Sequence, residues 1–198
     1  MADETVPKTG GRATLGPDGR RRCPWATAAP DYLAYHDEEW GRELRGNDAL
    51  FERLCLEAFQ SGLSWITILR KRPAFRRAFV DFSIDKVAKF GAADEKRLLA
   101  DAGIVRNRAK VSAAIANARA AQQLPDGLSA LLWSHAPEPR PRPPETTAEI
   151  PATTPTSTEL ARDLKRRGFR FVGPTTAYAL MQATGMVDDH LADCWCSG

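Results

Sequence analysis

Apolar side chains recur every three or four positions along most of this chain, the spacing of one face of an α-helix. After Asn47 and Asp48, either of which can cap a helix, Leu50, Phe51, Leu54, Cys55 and Ala58 fall on one such face. Residues 63–72 form a second run, which Pro73 is expected to stop. Ser83 opens a short helix closed by Gly91, and Asp94 opens another that continues to Gly103. Residues 105–123 read as a long amphipathic helix with Val111, Ile115 and Ala118 inward, and residues 128–133 add a turn or two. Thr156-Ser157-Thr158-Glu159 has the form of a capping box, leading to Arg167 with Gly168 just past the helix end. Pro174 suits the first position of a further helix, which Gly185 would end. No alternating strand pattern stands out. The expected fold class is all-α.

Two stretches lack periodicity. Residues 1–21 are polar and rich in Gly and Arg, so a disordered N-terminal extension is expected there. Residues 134–156 hold seven of the fourteen prolines and read as a long extended connection over the surface. Between and around them, residues 22–196 are expected to form a single α-helical domain. Hydrophobic residues make up 43% of the 198 positions, enough to fill one core. No apolar run approaches membrane-spanning length, and the first residues lack the apolar centre of a secretory signal. A cytoplasmic protein with no membrane partner is the expectation.

The net charge of +3 conceals an asymmetry. Residues 23–69 carry three Lys/Arg against eight Asp/Glu, whereas residues 70–119 carry thirteen against five. No Lys or Arg follows Arg170. A basic middle on a near-neutral chain suits a polyanion, although on charge alone a solvated helical surface is the favoured explanation.

Four cysteines in a cytoplasmic chain argue against a disulfide framework. Cys23 precedes His36 by thirteen residues, and His190 and Cys194 stand four apart, on one face if that segment is helical. Two thiolates and two imidazoles would suffice for tetrahedral Zn²⁺ joining the two chain ends. Surface histidines and buried small cysteines are the alternative. Cys196 could substitute as a ligand; Cys55 lies on the apolar face of its helix and His135 lacks a nearby partner.

Two segments have the form of a helical hairpin. In residues 168–177 (Gly-Phe-Arg-Phe-Val-Gly-Pro-Thr-Thr-Ala) a helix ends, a glycine-containing turn follows, and a helix opens at Pro174. Unpaired N–H groups at such a start, around Gly173 and Thr175, suit a DNA phosphate. Residues 102–108 have the cations Arg106 and Arg108 but lack a second glycine. Either could also be an ordinary turn.

Arg22-Cys23-Pro24-Trp25, Ala34-Tyr35-His36-Asp37-Glu38-Glu39-Trp40-Gly41, Leu56-Glu57 and Ser61-Gly62-Leu63-Ser64-Trp65-Ile66-Thr67 resemble the DNA-3-methyladenine glycosylase I family. So do Ala102-Gly103-Ile104-Val105-Arg106, Lys165-Arg166-Arg167-Gly168-Phe169, Phe171-Val172-Gly173-Pro174-Thr175 and Asp189-His190, in order over residues 22–196. The resemblance implies a helix–hairpin–helix fold and a monomeric enzyme that excises 3-methyladenine from alkylated double-stranded DNA, releasing the free base. It implies that Cys23, His36, His190 and Cys194 hold a structural zinc. It makes Glu57 the carboxylate that recognises the methylated base, Tyr35, Trp40 and Trp65 its aromatic lining, and Leu63 the side chain that approaches the extrahelical nucleotide. One departure stands out: where the family usually has Asn, this chain has Asp188, either a catalytic carboxylate like that of the broader superfamily or the cap of a helix bearing His190 and Cys194. A non-catalytic DNA-binding module and a zinc-stapled interaction protein are the alternatives; the first leaves Glu57 idle, the second the basic middle.

Overall fold

The computed structural model describes residues 10–197. Among these residues it contains nine α-helices and one two-stranded sheet, so the all-α expectation holds. The chain divides into two compact units: one built from residues up to 43, 137–152 and from 182 onward, the other from residues 44–136 and 153–181.

The first unit begins with an antiparallel hairpin, β1 (Thr14–Leu15) on β2 (Arg21–Arg22), in the register Thr14 opposite Arg22. Residues 10–21, expected to be disordered, therefore include ordered backbone; residues 1–9 of that expected extension lie outside the described residues. Two residues per strand are too few for an alternating pattern to register, which is why the sequence concealed them. Arg22, only 3% exposed, donates to both carboxylates of Asp18 and Asp37. A single turn at Pro24–Ala28 leads into α1 (Pro30–Glu38), whose Pro30 occupies the first helical position. The C-terminal tail closes on the hairpin: Ala13 N–H donates to Asp193, and Trp195 N–H to the Arg21 carbonyl. Gly185 has φ +72°, and a Cβ there would lie 2.6 Å from the Arg42 backbone, so only glycine fits.

The second unit is built on α2 (Asn47–Gln60) and α3 (Trp65–Ala78), followed by α4 (Ile84–Val87), α5 (Ala92–Ala100), α6 (Arg108–Gln122), α7 (Gly127–Trp133), α8 (Pro155–Arg166) and α9 (Pro174–Ala183). Helix α2 is buried almost all round rather than on one face: Leu50, Phe51, Leu54, Cys55, Leu56 and Phe59 are all buried. Phe59 packs on Phe75 with ring centroids 4.7 Å apart, and Phe79 stacks on Phe82 at 5.3 Å. Pro73 does not stop α3, which continues to Ala78. Proline's φ fits a helix, and the burial of Phe75 and Ala78 beyond it outweighs one lost backbone bond. The capping box of α8 lies at Thr154, not at Thr156: Ser157 N–H donates to Thr154 Oγ1 at 3.0 Å, and Thr154 N–H to Ser157 Oγ at 2.9 Å. Pro155 then takes the first helical position, moving the start earlier.

Candidate active site and metal cluster

In the second unit, a cavity of about 310 Å³ lies against the last turn of α2, the turn that follows it, and the start of α9. Glu57, Gln60, Ser61, Gly62, Leu63, Thr175, Thr176 and Ala179 line it. Burial pushes the Glu57 carboxyl up to about 8, and the Arg53 charge one turn earlier opposes this only in part. A carboxyl so buried binds its negative charge poorly by itself and gains most from a cation brought to it. The α2 end turns tightly: Leu63 N–H donates to the Gln60 carbonyl at 2.6 Å, and Gly62 has φ +79°. This is a type II geometry, in which the third position favours glycine. It presents Leu63 41% exposed at the cavity, and Trp65 follows as the first residue of α3.

The opposite wall comes from the α8–α9 hairpin. Gly168 has φ +90° just past α8, as expected. The Asn117 side chain, from α6, brackets the next turn: its amide donates to the Arg170 carbonyl at 3.1 Å and its oxygen accepts the Arg170 N–H at 2.7 Å. Phe171 stands 44% exposed with φ +59°. At the N-terminus of α9, Pro174 has no N–H, and the first helical N–H groups have no carbonyl one turn back to bind. Thr175 and Thr176 thus bring the positive end of a helix dipole to the same cavity as Glu57. A wider groove of about 680 Å³ opens beside Asn47, Asp48, Asp85 and Asp126, at the other end of α2. Its carboxylates make it a poor host for a phosphate backbone.

The first unit contains a second constellation. Ligand atoms of Cys23, His36 and Cys194, and likewise of His36, His190 and Cys196, lie within 4.8 Å of one another, and all five residues are buried. His36 Nε2 is 3.5 Å from Cys194 Sγ. Sulfur and nitrogen ligands on one tetrahedral zinc would stand about 3.6 Å apart. Each imidazole has its Nδ1 on a carboxylate, His36 on Asp37 at 2.8 Å and His190 on Asp188 at 2.7 Å. Among the described residues, the buried His190 Nε2 atom has no hydrogen-bond partner. Imidazoles anchored by carboxylates, with a ring nitrogen in need of a partner beside thiols, are the donor set of a zinc site. The Cys194 thiol is held down at about 4 by a hydrogen bond from Cys23 and the neighbouring His36. Burial instead raises Cys196 to about 12.

A family model for methyladenine glycosylases matches residues 25–197. The chain belongs to the methyladenine glycosylase family. It is 45% identical over 179 residues to DNA-3-methyladenine glycosylase 1 of Escherichia coli, covering 88% of this chain and 96% of that protein. It is similar to a crystal structure of 3-methyladenine DNA glycosylase I with TM-score 0.85 and 42% identity, covering 89% of this chain and 100% of the other. A tyrosine-to-phenylalanine variant of such an enzyme, in complex with 3-methyladenine, gives TM-score 0.83 at 37% identity, over 89% of this chain and 97% of its own.

In this methyladenine glycosylase, Glu57 and Leu63 share one cavity with Thr175, and Gly173 precedes the start of α9. Tyr35 and Trp40 belong to the first unit, where the Trp40 ring lies 4.7 Å from His190. Trp25, which sequence reasoning passed over, packs against both Trp40 and His36 at 5.2 Å. Residues 188–191 are not helical, so Asp188 caps no helix and His190 and Cys194 do not share a helix face. Asp188 instead accepts both the N–H and the Nδ1 of His190. Arg106 and Arg108 are exposed, Arg108 loosely paired with Glu95 at 3.7 Å. Lys71, one of the basic cluster, turns inward to the Ala102 and Gly103 carbonyls. Gln60 and Asn117 were missed altogether, Thr176 was read only as part of the hairpin, and Lys110 only as one cation of the basic middle.

Proposed function

We propose that this protein excises 3-methyladenine from alkylated double-stranded DNA, hydrolysing the N-glycosidic bond of a flipped-out nucleotide in base excision repair. The observation that carries this reading is Glu57, buried in a cavity that Leu63 borders on one side and the N-terminus of α9 on the other. Base flipping costs a few kcal/mol of unstacking, and Leu63 is the side chain placed to fill the vacated stack. The turn before α9, with Gly173 and Thr175, holds the strand through a phosphate, assisted by the exposed Arg106 and Arg108.

N3-methylation makes the adenine a cation, so its glycosidic bond is already weak and the base leaves readily. What the enzyme adds is selection. A cationic purine beside Glu57 restores in the cavity the ionic stabilisation that burial withdraws, whereas neutral adenine offers no charge to pair. Glu57 thus binds the damaged base as the carboxylate, having passed its proton to solvent water as the base arrives. Trp65 supplies flat apolar surface suited to a purine ring, whereas Tyr35 and Trp40 belong to the first unit.

Cys23, His36, His190 and Cys194 hold a structural Zn²⁺, with Cys196 as a fifth donor within the cluster. When bound, the metal cross-links segments at the two ends of the chain and offers no open position for water. The enzyme works as a monomer in the cytoplasm, with its substrate DNA. Incubating the protein with methylated duplex DNA and separating the released purines tests the reading. Free 3-methyladenine should accumulate; its absence, with zinc-loaded folded protein present, would overturn it.

A further inference from the structure

The turn that presents Leu63 is held from outside. Lys110, in the first turn of α6, is 8% exposed, and its ammonium donates to two backbone carbonyls, Phe59 at 2.9 Å and Ser61 at 2.5 Å. These are carbonyls at the C-terminal end of α2, where helical geometry leaves acceptors without donors and the dipole is negative. Phe59 is two residues past Glu57, and Ser61 is the second residue of the turn closed by the Leu63 N–H and the Gln60 carbonyl. Burial lowers the Lys110 pKa from the ordinary lysine value. Holding an amine there costs free energy, which two good hydrogen bonds offset. Asn107 caps the same helix by accepting the Lys110 N–H at 3.1 Å, so the backbone from which the side chain reaches is itself fixed.

We propose that Lys110 is a positioning residue for base excision: by clamping the Phe59 and Ser61 carbonyls it presets the turn at residues 60–63, so that Leu63 stands at the Glu57 cavity before DNA arrives. This rests on the glycosylase reading above. Without the clamp the turn samples other conformations, and each encounter with a flipped nucleotide must order it again, a cost paid in the rate of excision rather than in the chemistry of Glu57. A lysine that merely caps α2 would add stability and act independently of Leu63.

A double-mutant cycle separates the two. Lys110→Met keeps the aliphatic stem and removes the donor; Leu63→Ala removes the side chain the clamp serves. Single-turnover release of 3-methyladenine from duplex DNA should slow by about tenfold in Lys110→Met. The affinity for free 3-methyladenine, measured calorimetrically, should fall by clearly less than the rate, since Glu57 and the α9 residues of the cavity are untouched. In the Leu63→Ala background, Lys110→Met should add less than about twofold. Equal slowing with and without Leu63, or loss of free-base affinity in parallel with the rate, would overturn the proposal. Should the methionine variant fail to fold, Lys110→Arg takes its place in the same cycle, keeping the charge while disturbing the two short contacts. Wild-type protein that releases no base refutes the glycosylase reading itself, an outcome distinct from additivity in an active enzyme.

Discussion

Replacing Glu57 with Gln should stabilise the protein, and increasingly so as the pH rises. The carboxyl moves from its ordinary 4.5 in the unfolded chain to about 8 in the fold. Its contribution to stability is therefore most favourable below pH 4.5 and is lost as the pH climbs through 8, because the unfolded chain ionises freely while the fold resists. The full penalty is about 4–5 kcal/mol, of which about 3 kcal/mol develops between about pH 5 and pH 8. Glutamine matches the size and does not titrate, so it removes this pH-dependent part. For a chain of this length 1 kcal/mol moves Tm by about 2–4 °C. The variant's Tm advantage should thus widen by about 6–12 °C across that interval. Any fixed difference from the amide's own hydrogen bonds cancels in the comparison between pH values. Calorimetric melts of both proteins at a series of pH values read the effect. A difference that stays constant with pH would mean that Glu57 titrates normally and is not the desolvated carboxyl this account requires. The same variant should release 3-methyladenine about ten- to a hundredfold more slowly, the worth of one charge-assisted hydrogen bond.

Cys194→Ser should lose stoichiometric zinc by metal analysis and melt at lower temperature; unchanged metal content would move the fourth ligand to Cys196, which shares the cluster. Asp188→Asn should lower metal retention by about 10–100-fold, as loss of an imidazole's outer partner does, while base release by the loaded enzyme persists; abolished release would make Asp188 the catalytic carboxylate. Alanine at Arg106 or Arg108 should weaken damaged and undamaged duplex alike and reduce the salt slope by about one per contact. An unchanged slope in binding titrations would place those side chains off the DNA.

The helices were legible because amphipathic spacing, caps and glycine stops agree along most of the chain; α7, α8 and α9 begin and end within two residues of their expected bounds. Pro73 misled because a local rule was applied where tertiary burial decides: Phe75 beyond it is fully buried. The β hairpin escaped because two residues per strand leave no alternating pattern to read, although Asp193 and Trp195 at the far end of the chain bond to it. Glu57 stood out only through the family motif; its burial follows from α2 being enclosed on nearly every side, which the run of Leu54, Cys55 and Leu56 signals. The ligand residues were recognisable as types, yet the supposed helix between His190 and Cys194 was wrong, and Asp188 takes its meaning from a contact two residues away. Lys110 was hidden among the cations of the basic middle and Asn117 carries no pattern at all, because side chains that hold main-chain carbonyls are indistinguishable in sequence from those that face water.

The central claim is that the cavity at Glu57 is where the damaged base binds. Backbone amide shifts followed by NMR on titration with free 3-methyladenine test it most directly. The perturbations should centre on Gln60, Thr176 and Ala179, which line that cavity. Shifts centred instead on the groove of Asn47, Asp85 and Asp126 would contradict the account.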